Sequence, residues 1–190
     1  MARYIVNVVD IDDTLGFPSP FHQLKGSNED QLIESKTEAF LKQVAELAIA
    51  PWILSNRRIL DEADENVVVS GRHDFMKEVT EPWLHKVVKL PRISMVKYLC
   101  FSDYEKYIKD KKSSIGAVIL GLQTLFEGIN VVAGMVRRVY NEGYRVNVFD
   151  DNMDTIRWVQ SLGPTRLVTP YLIKDGKLVT RNLLPIVLAH

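Results

Sequence analysis

Acidic residues gather at two points of the sequence, each directly after a short apolar run. Asp10, Asp12 and Asp13 follow the run YIVNVV, and Asp150 and Asp151 follow VNVF. Magnesium prefers oxygen ligands, commonly one or two carboxylates together with water and substrate phosphate. Two carboxyls such as Asp10 and Asp12 can also divide the roles of nucleophile and proton donor. The two acidic groups therefore predict phosphate chemistry assisted by a divalent cation.

A third polar group, Ser70-Gly71-Arg72, closes another apolar run, NVVV. It offers a hydroxyl, exposed backbone N–H groups and a cation, which are groups suited to binding a phosphate. For Arg72 two interpretations are equally open, a structural ion pair and a contact with the substrate.

The apolar runs predict buried strands, and the segments between them show helical spacing. Strands are expected at 4–9, 66–70 and 144–149 and in the pieces VVKL and MVKYLCF; helices are expected at 30–50 (ended by Pro51), at 73–85 (broken or kinked at Pro82) and at 153–162. Alternation of strands and helices favours an α/β fold of three layers, a Rossmann-like parallel sheet with helices on both faces. Ligands of such sheets bind outside the carboxyl ends of the strands, where both acidic groups would lie.

We expect one domain over residues 1–190. Residues 15–65 are predicted to form a flap and a helical insertion, too short for a large cap. Residues 164–190 are expected to form a C-terminal hairpin and tail, because Asp175-Gly176 is a hairpin turn signal.

Three motifs resemble those of the haloacid dehalogenase (HAD) superfamily. VVDIDDTL is similar to the first motif, Asp-x-Asp-x-Thr after a hydrophobic strand. VVVSGR resembles the second motif, a strand ending in Ser or Thr, and VNVFDDN the fourth, a strand ending in paired acids. Their order and spacing fit across residues 4–162. The resemblance implies a HAD fold and a Mg²⁺-dependent phosphatase, since an Asp at position 12 favours phosphatases over dehalogenases.

The resemblance also implies a role for each matching residue. Asp10 would be the nucleophile that forms an aspartyl-phosphate, and Asp12 would protonate the leaving oxygen and then activate water. Thr14 would stabilise the turn of the motif and form, with Ser70, Gly71 and Arg72, the site that binds the phosphate of the substrate. Asp150 and Asp151 would complete, with Asp10 and Asp12, the ligands of Mg²⁺.

The third motif of the family, a lysine at the start of a helix, has no single match in this sequence. If the helix begins after Ser113-Ser114, Lys112 is the candidate, with Lys111 next. If it begins near Thr124, the corresponding residue is Glu127, which cannot neutralise a phosphate. We choose Lys112 as the third catalytic residue. The alternative is a catalytically silent HAD-like binding module.

A finer resemblance concerns SGRHDFMKEVTEPWL, which is similar to a stretch in phosphatase domains of the polynucleotide kinase-phosphatase type, and Phe17–Pro20, which resembles RNA-repair-like HAD phosphatases. It implies a phosphorylated nucleotide or nucleic-acid end as substrate. The 24 basic and 24 acidic residues balance, which argues against a protein that holds DNA by bulk electrostatics. A local patch remains open, because four lysines lie within residues 106–112.

The remaining composition bounds the class of protein. Cys100 is the only cysteine, so no intramolecular disulfide is expected. No signal-peptide core precedes Asp10, and we expect a cytoplasmic protein without a membrane span. The apolar stretch 115–135 contains one charge, Glu127, and is expected to be core or, in part, a face between two copies of the chain.

Overall fold

A computed structural model describes residues 4–20, 38–73, 76–99, 145–161 and 168–179. The strands are β1 (Ile5–Val9), β2 (Glu65–His73), β3 (Ile93–Leu99), β4 (Arg145–Asp150), β5 (Val168–Lys174) and β6 (Lys177–Leu178). The helices are α1 (Glu38–Ala45), α2 (Pro51–Asp61), α3 (Lys77–Trp83), a π-helix (Leu84–Val88) and α4 (Met153–Ser161).

The six strands form one sheet in the order β3-β2-β1-β4-β5-β6, parallel except for the antiparallel pair β5–β6. This is the order of a doubly wound sheet, in which the direction of winding reverses between β1 and β4. Right-handed crossovers in the two directions place α2 on one face and α4 on the other. The prediction of an α/β fold with a parallel sheet between helices is confirmed.

A row of three buried asparagines crosses the centre of the sheet, one on each of β2, β1 and β4. Asn7 is in register with both Asn66 and Asn147. Its amide donates to Asn66 Oδ1 at 3.0 Å, and its own Oδ1 accepts from Asn147 Nδ2 at 2.9 Å. Because a slip of one residue would turn every side chain to the other face, this asparagine row fixes how β1, β2 and β4 align.

Helix α2 covers the face of the sheet that carries the asparagine row. Its carbonyls accept from the row, Ile59 O from Asn7 Nδ2 at 3.1 Å and Leu60 O from Asn66 Nδ2 at 3.2 Å. Nearer the carboxyl ends of the strands, Phe149 stacks on Trp52 of α2, with ring centroids 5.1 Å apart. The core therefore lies between α2 and the sheet, directly beneath the end of β4.

The prediction of a helix from 30 to 50 ended by Pro51 is wrong in the described part. Helix α1 ends at Ala45, and Pro51 begins α2 at its first position. Proline suits that position because its missing N–H has no partner there and its φ is already helical. Ala50 before it is extended, with φ −61° and ψ 135°, as a residue before proline prefers.

The segment 73–90 also differs from its prediction. His73 ends β2, and the helix begins only at Lys77. Pro82 lies inside α3, two residues before the π-helix begins at Leu84. The predicted strand VVKL is absent, because this stretch completes the π-helix and Lys89 turns left-handed at φ 53°. Arg57 donates to the carbonyls of Val88 and Lys89, which holds this helix end against α2.

The C-terminal hairpin forms as predicted, with positive φ at both turn residues, 51° at Asp175 and 67° at Gly176. The backbone N–H of Trp52 donates to Gly176 O at 2.9 Å, so the turn is tied to the start of α2. Within the described ranges, no helix is both long and apolar enough to cross a membrane.

Candidate active site

The carboxyl ends of β1 and β4 lie next to each other, as the sequence predicts for its two acidic groups. Val9 pairs with Phe149, and the backbone N–H of Asp10 donates to Phe149 O at 3.0 Å. Asp10 and Asp150 therefore leave neighbouring parallel strands side by side. This is the point at which the sheet reverses its winding, where α/β proteins of this order bind their ligands.

Burial and neighbouring negative charges raise the pKa values of Asp10 and Asp150. Burial raises the pKa of Asp10 well above its ordinary value, and the negative charges of Asp150, Asp151 and Asp12 raise it further. Burial likewise raises the pKa of Asp150 to about 8, with Asp151 adding to the rise; the backbone N–H of Asn152, at 2.7 Å, acts in the opposite direction. Asp151 itself is exposed. The site thus holds more negative charge than its described surroundings neutralise, which favours a bound cation.

A tight turn follows β1 and orients the next three residues. Ile11 O accepts from the backbone N–H groups of Leu15 and Gly16, both at 2.9 Å. Asp13 takes a left-handed φ of 60°, and its Oδ1 accepts from the Ser19 N–H at 2.9 Å. The turn therefore gives Asp12 and Asp13 different surroundings, since the Asp13 carboxylate binds the backbone of the loop.

Thr14 lies under this turn and is completely buried. Its carbonyl accepts from Trp52 Nε1 at 2.6 Å, which ties the turn to α2. Its Oγ1 is buried and has no hydrogen-bond partner among the described residues. The backbone of Thr14, rather than its hydroxyl, makes the described contact that supports the turn.

Arg72 reaches from the end of β2 to Asp12, a residue 60 positions earlier in the chain. Its Nε donates to Asp12 Oδ2 at 2.8 Å and its terminal NH2 to Asp12 Oδ1 at 2.9 Å. The other terminal nitrogen donates to Thr80 Oγ1 at 3.0 Å. The side chain of Arg72 is 0% exposed and that of Asp12 is 21% exposed. Of the two interpretations open for Arg72, the ion pair is the one the structure forms.

Ser70 and Gly71 stand at the same strand end with different surroundings. Ser70 is buried, and its Oγ accepts from the Arg72 N–H at 3.1 Å. Gly71 is exposed, and a Cβ at this position would meet no atom within 4 Å. Gly71 is therefore not required by a close neighbour, and its place in a phosphate site stays a prediction.

The donor set fits Mg²⁺ in part. Asp10 and Asp150 supply the one or two carboxylates that this ion commonly takes from a protein, and their raised pKa values mark uncompensated negative charge. The Asp12 carboxylate is already engaged by Arg72. Among the residues the structure describes, no three His, Cys, Asp or Glu side chains are grouped closely enough to hold a metal ion.

The predicted third catalytic residue, Lys112, lies outside the described residues, as do its alternatives Lys111 and Glu127 and the apolar stretch 115–135. These four predictions stay predictions. Asn152 is the N-cap of α4, since its Oδ1 accepts from the Asp154 N–H at 2.8 Å.

Sequence reasoning missed two polar side chains that contact the Asp12–Arg72 pair. Ser19 Oγ donates to Asp12 Oδ1 at 3.2 Å, and Thr80 holds Arg72. No motif marks Ser19 or Thr80. The alternation of side chains along β2 did indicate that Ser70 and Arg72 lie close together, because residues two apart share one face of a strand.

Neither family models nor curated proteins match this chain. Among solved structures, the HAD domain of effector protein Lem4 from Legionella pneumophila is similar at 12% sequence identity and a TM-score of 0.40. The likeness covers 92% of this chain and 88% of that chain. At these values we transfer neither a residue role nor an activity from it.

Proposed function

We propose that the chain is a Mg²⁺-dependent phosphate-monoester hydrolase that uses Asp10 as its nucleophile. The observation that carries the proposal is the pair Asp10 and Asp150 at adjacent strand ends, each with a raised pKa. Transfer of a phosphoryl group needs chiefly positioning and charge neutralisation, so two acids, a cation and a few donors suffice.

In the first step, an Asp10 carboxylate oxygen attacks phosphorus and the bond to the leaving oxygen breaks. Asp12 gives its proton to that oxygen, so an aspartyl-phosphate and a free alcohol result. In the second step, water attacks the same phosphorus and passes a proton to Asp12. The bond to Asp10 then breaks, which restores its carboxylate and releases inorganic phosphate.

Magnesium held by Asp10 and Asp150 would supply positive charge that keeps Asp10 ionised and offsets the charge of the phosphate. Asp151 is the further acidic ligand that the motif resemblance proposes. A lysine, Lys112 in our choice, would add positive charge on the side of the phosphate.

The substrate class rests on the motif resemblance alone. We propose a phosphorylated nucleotide or nucleic-acid end, because SGRHDFMKEVTEPWL resembles phosphatase domains that act on such ends. A terminally phosphorylated oligonucleotide should therefore be hydrolysed with a higher kcat/KM than a compact sugar phosphate. The reverse preference would contradict this substrate class and leave the phosphatase proposal standing.

Release of inorganic phosphate from para-nitrophenyl phosphate, with and without Mg²⁺, tests the activity. Wild type should require Mg²⁺, and Asp10→Asn should lose turnover while remaining folded. Asp61→Asn is the matched control, since that carboxylate lies on α2 in an exposed pair with Arg57. A fully active Asp10→Asn protein would contradict the proposal.

One observation favours a second candidate, a catalytically silent binding module. The described residues contain no preassembled group of three metal-binding side chains, and Asp12 is engaged by Arg72. A silent module predicts that wild type releases no phosphate from any ester in the presence of Mg²⁺. Mg²⁺-dependent turnover that Asp10→Asn abolishes would exclude it.

A further inference from the structure

We infer that Arg72 is a positioning residue that acts through Asp12, and that it does not bind the phosphate of the substrate. The inference rests on the proposed function, because it gives Asp12 its task in proton transfer. It assigns to Arg72 a role different from the phosphate contact that the motif Ser-Gly-Arg predicts.

The first support is that three of the five N–H donors of the guanidinium bond to side chains of the protein. Nε and one terminal nitrogen donate to the two oxygens of Asp12, and the other terminal nitrogen donates to Thr80. With its side chain 0% exposed, Arg72 presents no face to a substrate. A contact with phosphate would require Arg72 to move away from Asp12 and Thr80.

The second support is that residues of α3 hold the side chain of Arg72 in place. The guanidinium carbon lies 5.8 Å from the ring centroid of Trp83, within the range of a cation–π contact. The Trp83 ring is buried, and its Nε1 donates to Leu47 O at 2.6 Å. Helix α3 thus supplies both Thr80 and Trp83, which hold the planar guanidinium in one orientation.

The third support is the pattern of donors on Asp12. Within the described residues, Oδ1 accepts from Arg72 and from Ser19, whereas Oδ2 accepts from Arg72 Nε alone. Each carboxylate oxygen can accept two hydrogen bonds, so Oδ2 keeps a site for the proton that passes to the leaving oxygen. Two hydrogen bonds from one planar guanidinium to both oxygens fix the rotation of the Asp12 carboxylate. A lysine ammonium lacks this planar pair of donors and cannot fix that rotation.

Leaving-group dependence separates this role from phosphate binding. Phenyl phosphate needs a proton on its leaving oxygen, whereas para-nitrophenyl phosphate releases a stable anion without one. Arg72→Lys and Arg72→Ala should lower kcat/KM for phenyl phosphate by about a hundredfold or more, the size of a general-acid contribution, and for para-nitrophenyl phosphate by a much smaller factor. Asp12→Asn should show the same selectivity.

Two further variants guard against a merely structural effect. Thr80→Val removes the acceptor behind Arg72 and should lower the phenyl phosphate rate selectively, whereas Thr80→Ser keeps a hydroxyl and should restore it. Added guanidinium should partly rescue Arg72→Ala toward phenyl phosphate. Arg58→Lys is the control, since Arg58 is 86% exposed in a surface pair on α2.

A double-mutant cycle in unfolding keeps the inference testable apart from activity. The effects of Asp12→Asn and Arg72→Lys on unfolding free energy should be non-additive, because the two side chains form one ion pair. If wild type hydrolyses neither ester, the proposed function fails, and the cycle alone decides whether Arg72 holds Asp12. Additive effects, or equal losses of kcat/KM for both esters, would overturn the inference.

Discussion

Asp10 and Asp150 lie side by side at the ends of adjacent parallel strands, because the Asp10 N–H donates at 3.0 Å to the carbonyl of Phe149, the residue before Asp150. Two acids that the sequence separates by most of its length thereby share one buried site. Burial raises the pKa of each carboxyl, and the negative charge of Asp150 raises that of Asp10 further.

The first prediction concerns the pH dependence of metal-free stability. Asp150 has a pKa of about 8 in the folded protein against an ordinary value of 3.8, so the folded state binds more protons between these values. The free energy of unfolding should therefore fall as pH rises from about 4 to about 8, by an amount on the order of a few kcal/mol. Urea unfolding at a series of pH values, with a chelator present, measures it.

Asp150→Asn should reduce the slope of that profile, leaving the part due to Asp10, and raise stability near pH 8, because the amide carries no charge to desolvate. Asp61→Asn should keep the wild-type slope, since that side chain is 50% exposed. Parallel profiles for wild type and Asp150→Asn would show that Asp150 is not the titrating group.

The second prediction concerns Mg²⁺. A cation that binds the folded state between Asp10 and Asp150 stabilises it by mass action, about 2.7 kcal/mol at a hundred times its Kd. Mg²⁺ should raise the Tm of wild type and have little effect on Asp10→Asn or Asp150→Asn. Thermal unfolding with and without Mg²⁺ measures this. An equal rise in all three proteins would place the ion elsewhere.

The third prediction concerns the buried hydroxyl of Thr14. Since Thr14 Oγ1 has no described partner, replacing it by a methyl group removes an unsatisfied polar atom. Thr14→Val should therefore leave stability unchanged or raise it by about 1 kcal/mol. Urea unfolding of the two proteins is the measurement. A clear loss of stability would mean that the hydroxyl has a hydrogen-bond partner.

The fourth prediction concerns the asparagine row. Asn7→Leu leaves the buried amides of Asn66 and Asn147 without their partner on β1. Each unsatisfied buried group costs about 1–3 kcal/mol, so the loss should reach about 2–4 kcal/mol. Asn56→Ala is the control, because among the described residues its amide bonds only to Trp52 O within α2 and its loss should cost about 1 kcal/mol or less. Similar losses in both variants would contradict a special role of the row.

Short-range patterns predicted the strands that carry the site. The runs before Asp10, Ser70 and Asp150 are predominantly apolar because their strands are buried on both faces. The residues show this pattern although Asn7 and Asn147 interrupt two of the runs. The topology then follows, since parallel strands connected by helices bring their carboxyl ends to one edge. The places of Asp10 and Asp150 could thus be predicted.

Contacts between distant residues could not be predicted in this way. The pair Arg72–Asp12 depends on the rotation of α3, which no local pattern records. Pro51 was ambiguous for another reason, because proline both stops a helix and suits the first position of one. The choice between these depends on Trp52, whose backbone and ring anchor α2 to the hairpin turn and to Thr14.

The central claim is that Asp10 carries the phosphoryl group, and trapping of that intermediate tests it most directly. Wild type is mixed with substrate and Mg²⁺, quenched during turnover and treated with borohydride, which reduces an acyl phosphate to an alcohol. Mass spectrometry of the peptide that contains residue 10 should show reduction at Asp10, absent without substrate and in Asp10→Asn. Phosphate release with an unmodified Asp10, or reduction at a different acid, would contradict the account.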